Sequence, residues 1–202
     1  SIAFVADESV LPRESGASAA PMKNAVPFTA PHDSPLRQWV SVEMGTLFYP
    51  YISNVMSQPQ KKEGTAIELA GLLVPRGVSL IVGGGYHGKS TLLRCIAAGI
   101  CNKIPGDGRE FCVTVDEAVT VRAEDGRYVS SCNVSAFISN LPCSLDTRHF
   151  STTEASGSTS QAANVVEAVE MGATAFLVDE DVSAANFMAR DGRMRAMVME
   201  ES

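Results

Sequence analysis

The chain has 202 residues, 45% of which are hydrophobic, and a formal net charge of −7. This length suits one α/β domain with a small appended lobe, and the apolar content supports a folded core. The acidic balance excludes a general electrostatic attraction to nucleic acids or anionic membranes, so any such binding would need a local basic patch. Five cysteines without a C-x-x-C pair and three histidines argue against a zinc site.

The first 38 residues predict an extended segment. Prolines recur there among serine, alanine and glycine, and they prevent a helix from propagating. We interpret residues 1–38 as a segment leading in from a missing N-terminal domain and residues 39–202 as the main domain. We see no signal peptide and no apolar stretch long enough to span a bilayer, so we expect an intracellular protein without a membrane domain.

Strand-like and helical patterns alternate through the rest of the chain. Short apolar or alternating runs predict strands at residues 40–44, 78–82, 111–115, 119–122 and 173–178. Helical spacing predicts helices at residues 91–98 and 160–171, the second with Gly172 at its C-cap. Polar stretches predict loops at residues 57–64 and 139–160. Strands alternating with helices favour an α/β fold with a mostly parallel sheet.

A glycine-rich sequence between predicted strand 78–82 and predicted helix 91–98 matches the phosphate-loop pattern G-x-x-x-x-G-K-[ST]. It reads Gly83-Gly84-Gly85-Tyr86-His87-Gly88-Lys89-Ser90, followed by Thr91. Glycines let backbone N–H groups point at phosphate oxygens, and the following helix adds its positive end. Lys89 would reach the β- and γ-phosphates, and Ser90 would ligate Mg²⁺. A glycine-rich turn with an incidental lysine is the alternative, but the flanking strand and helix favour the phosphate loop.

Two acids follow the apolar run of residues 175–178, namely Asp179 and Glu180. In P-loop ATPases the first acid at such a strand end holds Mg²⁺ through water, and the second orients or deprotonates the attacking water. We therefore assign Asp179 to the metal and Glu180, with Lys89, to catalysis. A solvated strand end explains the two acids equally well in isolation. Their occurrence in one chain with the phosphate loop favours the functional interpretation.

The segment before the second predicted helix resembles the Leu-Ser-Gly-Gly-Gln signature of ABC ATPases. It reads Ala155-Ser156-Gly157-Ser158-Thr159-Ser160-Gln161. In ABC ATPases this helix N-terminus meets the γ-phosphate held by a second subunit. The resemblance therefore implies a homodimer in which Ser156, Gly157 and Ser158 act across the interface. A plain N-capping loop is the alternative interpretation.

A closer resemblance covers nearly the whole chain. It rests on the phosphate loop and on residues 10–16, 104–110, 124–127, 155–164 and 186–191. Together these resemble a predicted ABC-class ATPase family of bacteria and protists. The resemblance implies an ABC-type P-loop NTPase fold with a small antiparallel β lobe, ATP or ADP with Mg²⁺ as cofactors, and ATP hydrolysis. A kinetoplastid member binds RNA in mitochondrial RNA editing, which implies RNA as a partner of the full-length protein. The location is the mitochondrion if the kinetoplastid resemblance holds and the cytoplasm otherwise.

Several ABC elements have no counterpart in this sequence. No glutamine lies between Lys89 and Gln161, and Asn186 stands where ABC ATPases have an aspartate. No histidine follows Asp179 either, which we attribute to truncation of the ABC-like core (residues 39–202) before the switch-histidine region. Three functions therefore stay open. They are an ATPase whose hydrolysis opens and closes a dimer, a nucleotide-gated RNA-binding module with little hydrolysis and, less favoured, a P-loop kinase.

Two further features leave alternatives open. Arg109 and Arg127 each follow an acid-Gly turn, where an arginine either stays solvated or faces phosphate, and the residues do not decide which. Tyr49 and Tyr51 lie upstream of the phosphate loop, where an aromatic side chain usually stacks on adenine. Core packing explains both tyrosines equally well.

Overall fold

A computed structural model describes residues 1–43, 60–61, 66–139, 141 and 146–188. The chain divides into two units, Ser1–Asp116 and Glu117–Ser202. Tyr49 and Tyr51 lie outside the described residues. The boundary between the units falls near the middle of the range that we interpreted as one main domain.

An antiparallel five-stranded sheet is the framework of the first unit. Its strands are β1 (Ala3–Ala6), β2 (Arg37–Glu43), β3 (Gln60–Lys61), β4 (Ala66–Val74) and β5 (Cys112–Thr114). Strand β4 pairs with β1, β2 and β3, and β1 also pairs with β5. Phe4, Ile67 and Leu69 form the centre of its core. Predicted strands 40–44 and 111–115 are confirmed as β2 and β5.

Strand β1 lies within the range that we predicted to be an extended lead-in segment. Its sequence, Ala-Phe-Val-Ala, is wholly apolar and all four residues are buried. An apolar strand of this kind is stabilised between two neighbours, and β1 lies between β4 and β5. The irregular part of the predicted segment is therefore residues 7–36, which we call the N-terminal segment.

The helix predicted after the phosphate loop is confirmed as α1 (Lys89–Ala98). Its buried residues are Cys95 and Ile96, and its C-terminal end packs against β5. The hydroxyl of Thr114 donates to the carbonyl of Ile96 at 2.6 Å. A Cβ on Gly99 would lie 2.5 Å from that hydroxyl, so the close approach of helix and strand requires glycine at this position.

Residues 78–82 are not the buried strand that we predicted. They have no regular secondary structure and pair with no strand in the described part of the chain. Val78, Leu80 and Val82 are 95, 82 and 83% exposed. β-Branched composition raises strand propensity, but a strand forms only where a neighbour pairs its backbone groups. Composition alone therefore predicted a strand that does not form.

The second unit combines a parallel strand pair, an antiparallel pair and a long helix. The parallel strands are β6 (Ala118–Val121) and β9 (Ala175–Val178), and the antiparallel strands are β7 (Arg127–Cys132) and β8 (Phe150–Ala155). Helix α2 (Gly157–Glu170) follows β8, while a 3₁₀ turn (Glu180–Val182) and the short helix α3 (Ala185–Met188) follow β9. A core cluster including Val129, Phe150 and Ala162 packs α2 against β7 and β8.

Strand β8 corrects our prediction of a polar loop over residues 139–160. Phe150 and Ala155 are buried at its two ends, and polar residues fill the positions between them. The polar residues concealed the strand because one face of an antiparallel pair is often solvated. Predicted strands 119–122 and 173–178 and predicted helix 160–171 are confirmed as β6, β9 and α2.

The described sheets establish a mixed α/β fold. Parallel pairing within the described ranges is limited to β6 and β9, so the parallel part is smaller than the mostly parallel sheet we expected. Among the described helices, none is long and apolar enough to cross a lipid bilayer.

Candidate functional site

The phosphate-loop sequence is a loop that ends where α1 begins. Gly88 precedes the helix with φ 84° and ψ 10°, in the left-handed region that favours glycine. Tyr86 also has a positive φ, 62°, which costs a residue with a side chain about 1–2 kcal/mol. Backbone strain of this kind is concentrated at ligand-binding loops. The loop therefore uses the backbone freedom of glycine at the residue that precedes α1.

Lys89 is the first residue of α1 and turns back over the loop. Its Nζ donates hydrogen bonds to the carbonyls of Gly83 at 2.9 Å and Gly84 at 3.0 Å. The ammonium group therefore lies on the inner side of the loop, next to the N-terminus of the helix. Ser90 follows within the first turn of α1 and is half-buried. Both residues thus lie in the first turn of a helix, whose unpaired backbone N–H groups favour an anion.

The two acids after β9 lie where the strand passes into the 3₁₀ turn. Asp179 is half-buried and extended, with φ −107° and ψ 129°, whereas Glu180 is exposed. The carbonyl of Asp179 accepts a hydrogen bond from the Ser183 hydroxyl at 2.8 Å. Its carboxylate accepts a longer one from the backbone N–H of Asp181 at 3.4 Å. The backbone at this strand end is thus held in place, while the carboxylate of Glu180 faces solvent.

The signature-like segment forms the N-terminus of α2. Ser156 is the N-cap residue, and Gly157 and Ser158 begin the helix. The hydroxyls of Ser156 and Thr159 lie 3.0 Å apart, and Thr159 also donates to the Ser156 carbonyl at 3.0 Å. The first N–H groups of a helix have no partner within the helix, so this end suits an anion.

Gln161 connects α2 to the acidic strand end. Its side chain is completely buried. Its Nε2 donates to the Ser183 hydroxyl at 3.2 Å, and its Oε1 accepts from the backbone N–H of Ala184 at 2.8 Å. Ser183 in turn donates to the Asp179 carbonyl. The sequence identified Gln161 only as the last signature residue, although a glutamine beside Ala162 and Ala163 on a buried helix face signals a hydrogen-bonding role.

The two arginines that we considered as phosphate ligands both have protein partners. Arg109 is 7% exposed, and its Nε donates to the carbonyl of Leu11 at 2.9 Å. Burial lowers the pKa of this guanidinium. Arg127 forms an ion pair with Glu167 on α2. Arg109 thus anchors the N-terminal segment and Arg127 anchors α2, so neither is the solvated turn charge of our simpler interpretation.

The structure groups the candidate residues in two sets. Lys89, Ser90 and the phosphate loop belong to the first unit, whereas Ser156 to Ser158, Asp179 and Glu180 belong to the second. Within the second unit, Gln161 and Ser183 link the signature-like helix to the acids. In the described ranges, no group of three or more histidine, cysteine, aspartate or glutamate side chains could hold a metal ion.

Comparison with known proteins identifies the family. An uncharacterized protein of Methanocaldococcus jannaschii, MJ1628, is 30% identical over 112 residues, which cover 55% of this chain and 25% of that protein. The aligned part thus spans about a quarter of the length of this curated relative. The family model of the ABC_ATPase P-loop domain matches residues 1–45 and 54–202. Because this match extends over nearly all of the sequence, the chain belongs to the ABC_ATPase family and contains its P-loop domain.

Proposed function

We propose that this chain binds ATP through its phosphate loop and hydrolyses it as the core of an ABC-class ATPase. The observation that carries the proposal is the placement of Lys89. It begins α1 directly after the left-handed Gly88, and its ammonium lies over the loop carbonyls of Gly83 and Gly84. A loop that surrounds a lysine at a helix N-terminus is suited to bind a polyphosphate.

Phosphate binding would exploit the present contacts of Lys89. Its two acceptors are neutral carbonyls, whereas phosphate oxygens are charged acceptors whose hydrogen bonds are about twice as strong. The β- and γ-phosphates would therefore draw the ammonium toward them. The backbone N–H groups at the start of α1 would bind the same oxygens.

Glu180 is the proposed general base. Its carboxylate is exposed, whereas the backbone next to it is fixed by the Ser183–Asp179 hydrogen bond. It would accept a proton from the water that attacks the γ-phosphorus. The hydroxyl of Ser90 and the carboxylate of Asp179 are hard oxygen donors of the kind that Mg²⁺ prefers. They would hold this ion, which neutralises phosphate charge when bound.

We also propose that Ser156, Gly157 and Ser158 act on the γ-phosphate of a second subunit in a homodimer. The N-terminus of α2 supports this role, because its N-cap residue Ser156 is exposed and the first backbone N–H groups of a helix attract an anion. A nucleotide-gated RNA-binding module is the second candidate function. The absence of a glutamine between Lys89 and Gln161 favours it, since ABC ATPases use that glutamine as a ligand of Mg²⁺ and water. RNA binding and a mitochondrial location rest on the family resemblance alone.

Steady-state phosphate release tests the proposal. The full-length protein and its Glu180→Gln variant are compared with and without single-stranded RNA, and Asp181→Asn serves as the control for loss of a neighbouring exposed acid. We expect Glu180→Gln to reduce turnover by about 100-fold or more, because general-base catalysis contributes about 10²–10⁴-fold. Asp181→Asn should keep most of the activity.

Equal turnover of wild type and Glu180→Gln would contradict hydrolysis at this site. RNA affinities that are the same with ATP, with ADP and without nucleotide would contradict the gated module. The two functions therefore fail on different measurements of the same set of proteins.

A further inference from the structure

A cavity of about 490 Å³ lies between the N-terminal segment and the phosphate loop, entirely within the first unit. Small-molecule pockets have volumes of about 300–1,000 Å³. Lys89, Gly88, His87 and Tyr86 form the phosphate-loop side of this cavity, and Thr91 and Leu92 extend that side along α1. A group attached to a polyphosphate at Lys89 would therefore extend directly into the cavity.

The rest of the lining, which we call the apolar wall, carries no polar side chain. It consists of Leu11, Pro12, Val26 and Phe28 from the N-terminal segment, together with Ile81 and Val82 immediately before the phosphate loop. None of these six side chains has a hydrogen-bond donor or acceptor. The cavity therefore combines the charged Lys89 with hydrocarbon and an aromatic ring. A nucleotide combines the same two kinds of group in its phosphates and its base.

The apolar wall is held in place by hydrogen bonds. Glu8 N–H donates to the Phe28 carbonyl at 2.7 Å, and Phe28 N–H donates to the Ser9 carbonyl at 2.8 Å. The buried Arg109 donates to the Leu11 carbonyl, and Arg13 forms an ion pair of 2.7 Å with Asp107. A wall that is ordered before the ligand arrives reduces the entropy cost of binding.

We infer that the N-terminal segment forms the nucleobase subsite of the nucleotide site, with Phe28 as the residue that contacts the base. This inference rests on the proposed function, because the phosphates must be held at Lys89 for the base to reach the cavity. It differs from the expectation that Tyr49 or Tyr51 stacks on adenine. It also assigns a ligand-binding role to a stretch that the sequence indicated only as a lead-in.

The chemistry of the wall predicts the specificity. Adenine and guanine differ in the hydrogen-bonding groups on their edges but share an extended π-face. Stacking and apolar contact do not distinguish them, because every base offers that face. The subsite therefore does not discriminate between adenine and guanine, and we expect ATP and GTP to bind with affinities within about threefold of each other.

Titration of the full-length protein with ATP, GTP and inorganic tripolyphosphate, each with Mg²⁺, tests the inference. Tripolyphosphate carries the phosphates without a base. We expect Phe28→Ala to weaken ATP and GTP about tenfold, since loss of an aromatic ring beneath a base costs about 5- to 150-fold, and to leave tripolyphosphate affinity unchanged. Phe28→Leu keeps the apolar bulk and should give a smaller loss of the same kind. The control is Tyr128→Leu, because Tyr128 is an aromatic residue that is 63% exposed and belongs to the second unit.

The outcomes separate the two proposals. If wild type binds neither ATP nor tripolyphosphate, the proposed function fails. Suppose instead that wild type binds both. The base subsite is then wrong if the Phe28 variants bind ATP as wild type does. It is also wrong if they lose ATP affinity and tripolyphosphate affinity equally. A loss that is specific to ATP in Tyr51→Ala and absent in Phe28→Leu would also overturn the subsite and would assign the base to Tyr51.

Discussion

The phosphate loop and the acidic strand end are organised differently. The loop is exposed, and the side chain of Lys89 donates hydrogen bonds to the loop's backbone carbonyls at Gly83 and Gly84. The strand end is instead held by residues distant in sequence, since the buried Gln161 reaches both Ser183 and Ala184. One region has contacts that a ligand can replace, and the other has contacts that stay in place while a carboxylate faces outward.

This difference indicates a division of labour. A loop whose lysine is bound only to neutral carbonyls gains strong charge-assisted hydrogen bonds when phosphate arrives, so its residues should determine affinity. Acids on a preorganised backbone contribute to the transition state when they are already in position, so their surroundings should determine rate. Substitutions in the two regions should therefore separate KM from kcat.

The largest expected effect comes from removal of the lysine. Lys89→Ala should weaken ATP and tripolyphosphate binding by about 100-fold, because hydrogen bonds to charged groups contribute about 1.5–3 kcal/mol each. Calorimetric titration measures this change. Lys23→Ala is the matched control, since Lys23 is exposed and its ion pair with Glu14 is as long as 4.0 Å. Retained ATP affinity in Lys89→Ala would refute the phosphate-loop assignment.

A smaller effect should follow from breaking the link behind the acids. Ser183→Ala removes the hydroxyl that donates to the Asp179 carbonyl and accepts from Gln161. Leaving a buried amide donor without its partner costs about 1–3 kcal/mol, so the free energy of unfolding should fall by that amount. We also expect kcat to fall about fivefold while KM stays unchanged, as for a group that acts only in the transition state.

The control for this variant is Ser130→Ala, at an exposed serine of β7. Denaturant unfolding and steady-state kinetics are measured on both proteins. If Ser183→Ala changes stability and leaves kcat at the wild-type value, the link is only structural. The claim that the surroundings of the acids determine the rate would then be wrong.

The smallest expected effect concerns the rates at which cysteines of the two units react with a thiol reagent. Among the four cysteines in the described ranges, Cys101 is exposed and should react first with a thiol reagent, whereas Cys95, Cys112 and Cys132 are buried and should react slowly. Burial, together with the nearby Glu167, raises the pKa of Cys132 and so lowers its thiolate fraction. Its labelling should therefore accelerate only as the pH rises toward this elevated pKa.

ATP should sharpen the difference between the units. Cys95 is a buried residue of α1, the helix that follows the phosphate loop, so bound ATP should slow its labelling by several-fold through stabilisation of that helix. Cys132 lies on β7 in the second unit, and its labelling serves as the internal reference. Mass spectrometry at timed intervals gives both rates. Equal slowing at the two cysteines would indicate that ATP stabilises the units together.

The sequence predicted the features that depend on local chemistry. The glycines and Lys89 indicated a loop before a helix, and the apolar run before Asp179 indicated a strand. Residues 78–82 were mispredicted, because β-branched composition does not reveal whether a neighbouring strand exists. Strand β8 was missed because its polar residues match a solvated face. The partners of Gln161 and Arg109 are 22 and 98 residues away in the chain, and no local pattern identifies them.

The amide of Gln161 has a consequence for the rotation of α2 about its own axis. The buried face beside it is made of Ala162, Ala163 and Ala168, whose small side chains give little shape to resist a turn of the helix. The Gln161 amide donates at one end and accepts at the other, so a flipped amide would oppose its NH₂ group to the Ala184 N–H. The Gln161 amide thus acts with the Arg127–Glu167 ion pair to fix the angular setting of α2, and with it the direction in which Ser156 to Ser158 face.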